Sequence, residues 1–247
     1  MNINITYINH SGFLLEWERC YFLFDYYNGQ IPDLDNDKML LVFVSHGHGD
    51  HFNPEIFNLY KEHPKTIYLI SSDIKLDKRT NLKYGITEEI LSNIKIVKPN
   101  EEYEIFDGDK NSIHIETLKS TDSGVAFLIG YNEKTIYHAG DLNLWMWMGE
   151  TKQYNNDMRA RFHKEISKLE KTNIDIAFAP LDPRQEDWYC LGLDKLLDCA
   201  NVRYVFPMHF WDKPEIVQRY KNDSKTSKSS AIIMDVSKQG QAWSLEI

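Results

Sequence analysis

An apolar run of six residues, Met39 to Val44, passes without a spacer into Ser45-His46-Gly47-His48-Gly49-Asp50-His51. Such a run suits a strand buried on both faces, which puts the polar segment at a strand's C-terminal end. Asn53-Pro54 then supplies an N-cap and a proline at the first helical position, and Ile56, Phe57 and Tyr60 form an apolar stripe, so the local order is strand, loop, helix. On an extended chain, residues two apart point the same way, and His46, His48 and Asp50 are expected to converge on one locus. Gly47 and Gly49 can take positive φ, curling the loop so that His51 also faces inward. Imidazole and carboxylate together suit zinc, manganese or iron, whereas calcium and magnesium prefer oxygen. Histidines that merely cap strand ends are the bland alternative. Four ligand-type residues within positions 46 to 51, interleaved with glycine, favour the metal.

The rest of the chain alternates strands and helices. Ile3, Ile5 and Tyr7 alternate with polar residues, and Phe13 to Trp17 and Cys20 to Phe24 read as a half-buried hairpin. Strands near Thr66 to Ile70 and Ile94 to Val97 flank a helix from Thr87 to Asn93. A meander follows over Glu102 to Phe106, Ser112 to Leu118, Val125 to Tyr131 and Thr135 to His138. Met158, Phe162, Ile166 and Leu169 recur at helical spacing, which predicts one surface helix from Tyr154 to Lys171. A further strand, helix, strand unit covers Ile174 to Ala179, Leu191 to Ala200 and Arg203 to Phe206. A short helix follows Pro214, and strands are expected near Ala231 to Met234 and Ala242 to Leu245. The polar run Lys221 to Ser230 reads as a solvated loop, and no internal repeat is visible. Two strand-rich halves, each with its own helices, predict an α/β fold of two packed sheets covered by helices, in a single domain over residues 1–247.

Charge narrows the partners. With 28 basic and 37 acidic residues the chain carries a formal net charge of −9, which argues against binding through nucleic-acid phosphates. Its longest apolar run is far short of the roughly 20 residues needed to cross a bilayer. The N-terminus lacks the basic start and continuous apolar stretch of a signal peptide, so the mature chain is expected to begin at Met1. Cys20, Cys190 and Cys199 form no C-x-x-C pair and suit a reduced interior, so a cytoplasmic location is expected.

The H-x-H-x-D-H pattern at 46–51 resembles the metallo-β-lactamase superfamily, and the resemblance extends from end to end of the chain. It implies the four-layer αββα sandwich of that family. His10-Ser11-Gly12-Phe13-Leu14 and His138-Ala139-Gly140-Asp141 are most similar to its branch of lactonase-like and uncharacterised metal-dependent hydrolases. The resemblance implies that Asp141 bridges two metals and that His209, in Phe206-Pro207-Met208-His209, is the final histidine ligand. The family's third histidine for the first metal is missing: the loop Lys119-Ser120-Thr121-Asp122-Ser123-Gly124 has none, and His114 lies inside its strand. Asp122 is the best substitute, although Asp before Ser-Gly is also ordinary turn chemistry. The first site would hold His46, His48, Asp141 and Asp122, and the second Asp50, His51, Asp141 and His209.

His10 and His138 are candidates for orienting these ligands or donating a proton. His63 and His163 are expected to face solvent from helices. Trp145-Met146-Trp147-Met148 forms either an aromatic wall beside the metals or a packing surface for the long helix. The acidic stretch Asp182 to Asp187 reads as a loop near the same face. The chemistry expected is hydrolysis of a small ester, lactone or phosphoester by metal-activated water, with one or two divalent ions, zinc first and manganese or iron next. Asp50 would orient the nucleophile, and His10 or His138 would protonate the leaving group. A nuclease and a metal-binding module with little turnover are the competing readings. The expected partner is a small molecule, with neither a membrane nor nucleic acid.

Overall fold

The structure, a computed structural model, describes residues 2–223 and 229–247. Its strands, in chain order, are β1 (Asn2–Asn9), β2 (Gly12–Glu16), β3 (Cys20–Phe24), β4 (Met39–Val44), β5 (Thr66–Ser71), β6 (Ile94–Val97), β7 (Glu102–Phe106), β8 (Ser112–Lys119), β9 (Val125–Tyr131), β10 (Lys134–His138), β11 (Asn173–Pro180), β12 (Asn201–Met208), β13 (Ile232–Ile233) and β14 (Ala242–Glu246). The helices are α1 (Lys78–Lys83), α2 (Glu88–Ser92), α3 (Lys152–Ile166), α4 (Leu191–Cys199) and α5 (Glu215–Asn222). Among the described residues they form two seven-stranded sheets, ordered β14-β1-β2-β3-β4-β5-β6 and β13-β12-β11-β10-β9-β8-β7. Each sheet is mixed. The strands from β3 to β6 run parallel, as do those from β10 to β13, and the remainder pair antiparallel. With helices on the outer faces this is the expected α/β, four-layer αββα sandwich.

Strand β4 shows why the apolar run had to be unbroken. Met39, Leu41 and Phe43 point into the core between the sheets, whereas Leu40, Val42 and Val44 pack outward against Phe52, Ile56 and Phe57. Both faces of the pleat are therefore dry. Between the sheets, Phe24 and Phe43 stack at 4.8 Å and Phe127 meets Phe43 edge-on at 5.3 Å, tying the two layers together. On the far side, Met158, Phe162 and Ile166 of α3 bury the stripe seen in the sequence.

Several boundaries differ from expectation. The segment after Asn53 is a 3-10 helix, Pro54–Lys61, capped by the Asn53 side chain on Glu55 N–H. The long helix stops at Ile166 and tightens into a 3-10 turn over Ser167–Leu169. Helix α1 was not anticipated: it buries no residue, so no apolar period marks it, and only the Asp77 cap on Thr80 N–H announces it. Asp182 is the N-cap of a 3-10 helix, Pro183–Trp188, rather than part of a loop. His63, expected to face solvent, is buried in the turn that leads into β5, where its carbonyl accepts from the Thr66 hydroxyl at 2.6 Å. His163 is exposed on α3, and His114 lies on the outward face of β8. Lys221 and Asn222 end α5, while the middle of the polar run, 224–228, lies outside the described residues.

The sheets meet tightly where β4 and β9 come together. Val125 N–H donates to Ser45 C=O at 2.9 Å. Gly124, at φ +66°, lies so close that a β-carbon there would sit 1.9 Å from the Ser45 oxygen. Alanine at Gly124 is expected to cost about 3 kcal/mol or more through backbone strain and displacement of β4. Denaturant unfolding should show a lower midpoint at similar slope, and an unchanged midpoint would contradict this packing.

Candidate metal centre

Ligands in open α/β sheets gather at the carboxyl ends of parallel strands. Here five such ends meet at one edge of the sandwich. Asp25 follows β3, Ser45 to His51 follow β4, Asp141 follows β10, Asp182 follows β11, and His209 follows β12. His10, in the turn between β1 and β2, joins them. His10, Asp25 and His209 all have positive φ (54°, 37° and 62°), conformations uncommon for residues with side chains and typical of functional loops.

The donor atoms form two groups. One comprises His46, His48, Asp122 and Asp141; the other comprises His10, Asp50, His51 and His209. Asp141 lies between them. Its Oδ2 is 3.5 Å from His46 Nε2, and its Oδ1 is 3.2 Å from His51 Nε2 and 3.3 Å from His209 Nε2. His48 Nδ1 sits 3.1 Å from His46 Nε2 and 3.4 Å from Asp122 Oδ2, and His10 Nε2 sits 3.4 Å from Asp50 Oδ2. Ligands about 2.0 to 2.1 Å from a tetrahedral zinc lie roughly 3.3 Å from one another, so these separations fit a transition cation. The buried His10 Nε2, His51 Nε2 and Asp141 Oδ1 have no hydrogen-bond partner. A bound cation would satisfy all three, whereas left alone each carries a desolvation cost.

Second contacts fix which nitrogen each ring presents. Asp25, fully buried, accepts from Ser45 N–H at 2.7 Å and from the Ser45 hydroxyl at 2.6 Å. That hydroxyl proton is thereby used, so at the 3.0 Å contact with His46 the ring Nδ1 is the donor. His51 Nδ1 donates to Asp25 at 2.8 Å, and His209 Nδ1 donates to Asp182 at 3.0 Å. In each ring Nε2 is the atom left to face the cluster, as oriented metal-binding imidazoles require.

Electrostatics point the same way. Burial drives His10 down to about 4, so its ring is neutral despite the Asp50 contact. Burial and neighbouring His51 also lower His46. Burial opposes charge on Asp141, but His51 and His209 outweigh it and hold the carboxylate well below its ordinary range. Burial likewise opposes a charged His51, yet Asp141 and Asp25 keep its proton on well above the usual range. A cation at this locus would take that proton's place. Asp182, whose burial is offset by hydrogen bonds from His209 and Arg184, is held at about 2.

The geometry revises three expectations. His46, His48 and Asp50 do not share one locus, because the segment turns: His51 N–H and Phe52 N–H both bond back to His48 C=O at 3.0 Å. Asp50 and His51 therefore swing to the second group. Gly47 and Gly49 do not use positive φ; Gly49 has open space where a β-carbon would stand, whereas one at Gly47 would lie 3.1 Å from Ile74 Cγ1, and Gly47 N–H donates to Asp73 at 2.9 Å. His138 is enclosed beneath Asp25, its Nε2 donating to Ser11 C=O at 3.0 Å and its Nδ1 accepting from Gly140 N–H, which leaves no face toward the pocket.

Sequence reasoning missed Asp25 and assigned no role to Asp182. Each is an acid immediately or nearly after a core strand, the same signal that marked the histidine motif. The aromatic run serves both of its readings, since Trp145 and Trp147 line a pocket of about 450 Å3 together with Tyr154 and Met158 of α3.

Residues 4–156 match the Beta-lactamase superfamily domain. A protein named UPF0173 metal-dependent hydrolase from Opitutus terrae is 25% identical over 228 residues, covering 87% of each chain. A Nanoarchaeum equitans protein of the same name is 26% identical over 250 residues, covering 94% of this chain and 97% of its own. Among solved structures, Igni18, a metallo hydrolase from Ignicoccus hospitalis, superposes with a TM-score of 0.61 at 15% identity over 100% of both chains.

Replacing Asp25 or Asp182 by asparagine removes a carboxylate that orients a ring nitrogen. Zinc affinity in calorimetric titration is expected to fall about 10- to 100-fold for either variant, and unchanged affinity in both would contradict the orienting role.

Proposed function

The chain belongs to the beta-lactamase superfamily, and from that premise we propose that it is a metal-dependent hydrolase acting on a small ester, lactone or phosphoester. The observation that carries this reading is the pair of donor groups at ligand spacing on either side of Asp141. One ion would be held by His46, His48, Asp122 and Asp141, the other by Asp50, His51, Asp141 and His209, with His10 in reach of the second. Asp122 thus stands where the family's third histidine is missing, and Asp141 would serve both ions. Zinc is the first choice for this nitrogen and oxygen set, with manganese or iron next. Bound divalent ions lower the pKa of water to roughly 7 and polarise a substrate's oxygen.

The chain's own residues do the rest. Asp50 is about one-quarter exposed and lines the pocket, and with Oδ2 turned toward His10, His51 and His209 its other carboxylate oxygen is the one available to orient the attacking water. His10 does not line the pocket, and its Nε2 lies 3.4 Å from Asp50 Oδ2 within the second donor group, so its part is to complete that group beside Asp50 rather than to meet a leaving group. His138 supports the Asp25 layer rather than the leaving group. Trp145 and Trp147 give one wall an aromatic surface. A pocket of about 450 Å3 suits a small molecule. Cleavage of nucleic acid is the weaker reading, because the chain's net charge is −9 and Arg184 is the one lysine or arginine lining the pocket among the described residues. We also read residues 1–247 as one domain, because a single apolar cluster draws on both sheets.

Hydrolysis of generic ester and phosphodiester substrates should vanish on chelation and return with zinc or manganese; activity indifferent to chelator removes the mechanism. Alanine at Asp141 should reduce bound metal from about two ions to one or fewer, read by elemental analysis of the purified chain. Full occupancy without turnover on a broad panel would instead favour a metal-binding module.

A further inference from the structure

One wall of the pocket carries a cation that the proposed hydrolysis does not use. Arg184 Nε donates to both oxygens of Asp182, at 3.0 and 2.9 Å, and Nη2 donates to Oδ2 at 2.5 Å. Its guanidinium carbon lies 4.7 Å from the Trp211 ring and 5.9 Å from that of Trp147. Trp147 in turn stacks on Trp145, with planes 9° apart and centroids 6.1 Å apart. The guanidinium is thus held along one edge by a buried carboxylate and flanked by two indoles, while the side chain remains 49% exposed.

An arginine offers five N–H donors in a rigid fork. Asp182 occupies the side formed by Nε and Nη2. The end-on side, formed by Nη1 and the outer hydrogen of Nη2, has no hydrogen-bond partner among the described residues. Neutralising Asp182 is one duty of this residue, but that duty does not require an unpartnered edge on a residue that lines the pocket. The neighbouring charges sharpen the contrast, because Asp50, Asp122 and Asp141 line the same cavity. A guanidinium flanked by aromatic rings and fixed in direction by a buried carboxylate is a preorganised receptor for a two-oxygen anion.

We propose that Arg184, flanked by Trp147 and Trp211, binds a carboxylate or phosphate group carried by the substrate, whose planar or apolar part lies against Trp145 and Trp147. The substrate class is then a small anionic ester or lactone rather than a neutral one. This deepens the hydrolase reading and rests on the pocket being its substrate site.

Binding separates the subsite from the chemistry. Quenching of tryptophan fluorescence is followed with phenylacetate, phenylphosphonate and the neutral phenylacetamide, on the full chain loaded with zinc and again after chelation. Either anion is expected to bind about tenfold more tightly than the amide, in both states, and the stronger of the two identifies carboxylate or phosphate as the preferred group. Arg184→Gln should abolish the preference. Arg184→Lys, which keeps a counter-charge for Asp182 but not the fork, should lose most of it. Trp147→Leu should weaken all three probes alike. No preference in the wild-type chain, no saturable binding, or a preference intact in Arg184→Gln overturns the assignment; one that survives in Arg184→Gln but vanishes with chelator places the anion on the metal ions instead. If hydrolysis is indifferent to chelator while the Arg184-dependent preference holds, the hydrolase reading falls and the anion subsite stands.

Discussion

Asp25 is a carboxylate with no exposure to solvent, and its contacts join the fold to the candidate centre. It takes the Ser45 amide and hydroxyl and His51 Nδ1, and through Ser45 it fixes His46 as well. A buried charge is tolerated only when hydrogen bonds and opposite charge compensate it. Here the compensation propagates: Asp25 needs His51, His51 brings Asp141 into contact, and Asp141 reaches His46 and His209. Asp182 repeats the arrangement for His209 with Arg184 as its outer partner. What remains at the centre is a set of imidazole nitrogens and carboxylate oxygens turned toward one another, an arrangement in which a cation would take the place of the His51 proton.

The sandwich makes that convergence possible because parallel strands from both sheets end at one edge. Closeness between β4 and the strands of the second sheet is the price of it, and two glycines permit the approach. A β-carbon at Gly124 would strike the Ser45 carbonyl, and one at Gly140, where φ is +49°, would lie 2.6 Å from Ser45 Cβ. Both flank loops that carry candidate ligands, Asp122 and Asp141. At these two positions the lack of a side chain thus permits closer approaches, where strands touch, than at Gly47 or Gly49 of the histidine motif.

The layered fold was legible because burial leaves periodic marks. Met39 to Val44 lacks polar residues since both of its faces are covered, and Met158, Phe162 and Ile166 recur because only one face of α3 is. The gathering of His46, His48, Asp50 and His51 was legible as a density of donors beyond what a loop needs. Their division into two groups was not, because it depends on a turn closed by backbone bonds to His48 C=O that any sequence could make. Asp25 escaped notice because a single acid after a strand is ordinary in sequence, and its partners lie 20 and 26 residues away. Helix α1 and the buried His63 were missed for the opposite reason, since neither has an apolar pattern to announce it.

The most direct measurement is anomalous diffraction at the absorption edge of the bound element, on crystals grown without chelator. The account predicts two peaks flanking Asp141, one among His46, His48 and Asp122 and the other among Asp50, His51 and His209. Crystals of metal-supplemented protein with no anomalous density within ligand distance of Asp141 would contradict it.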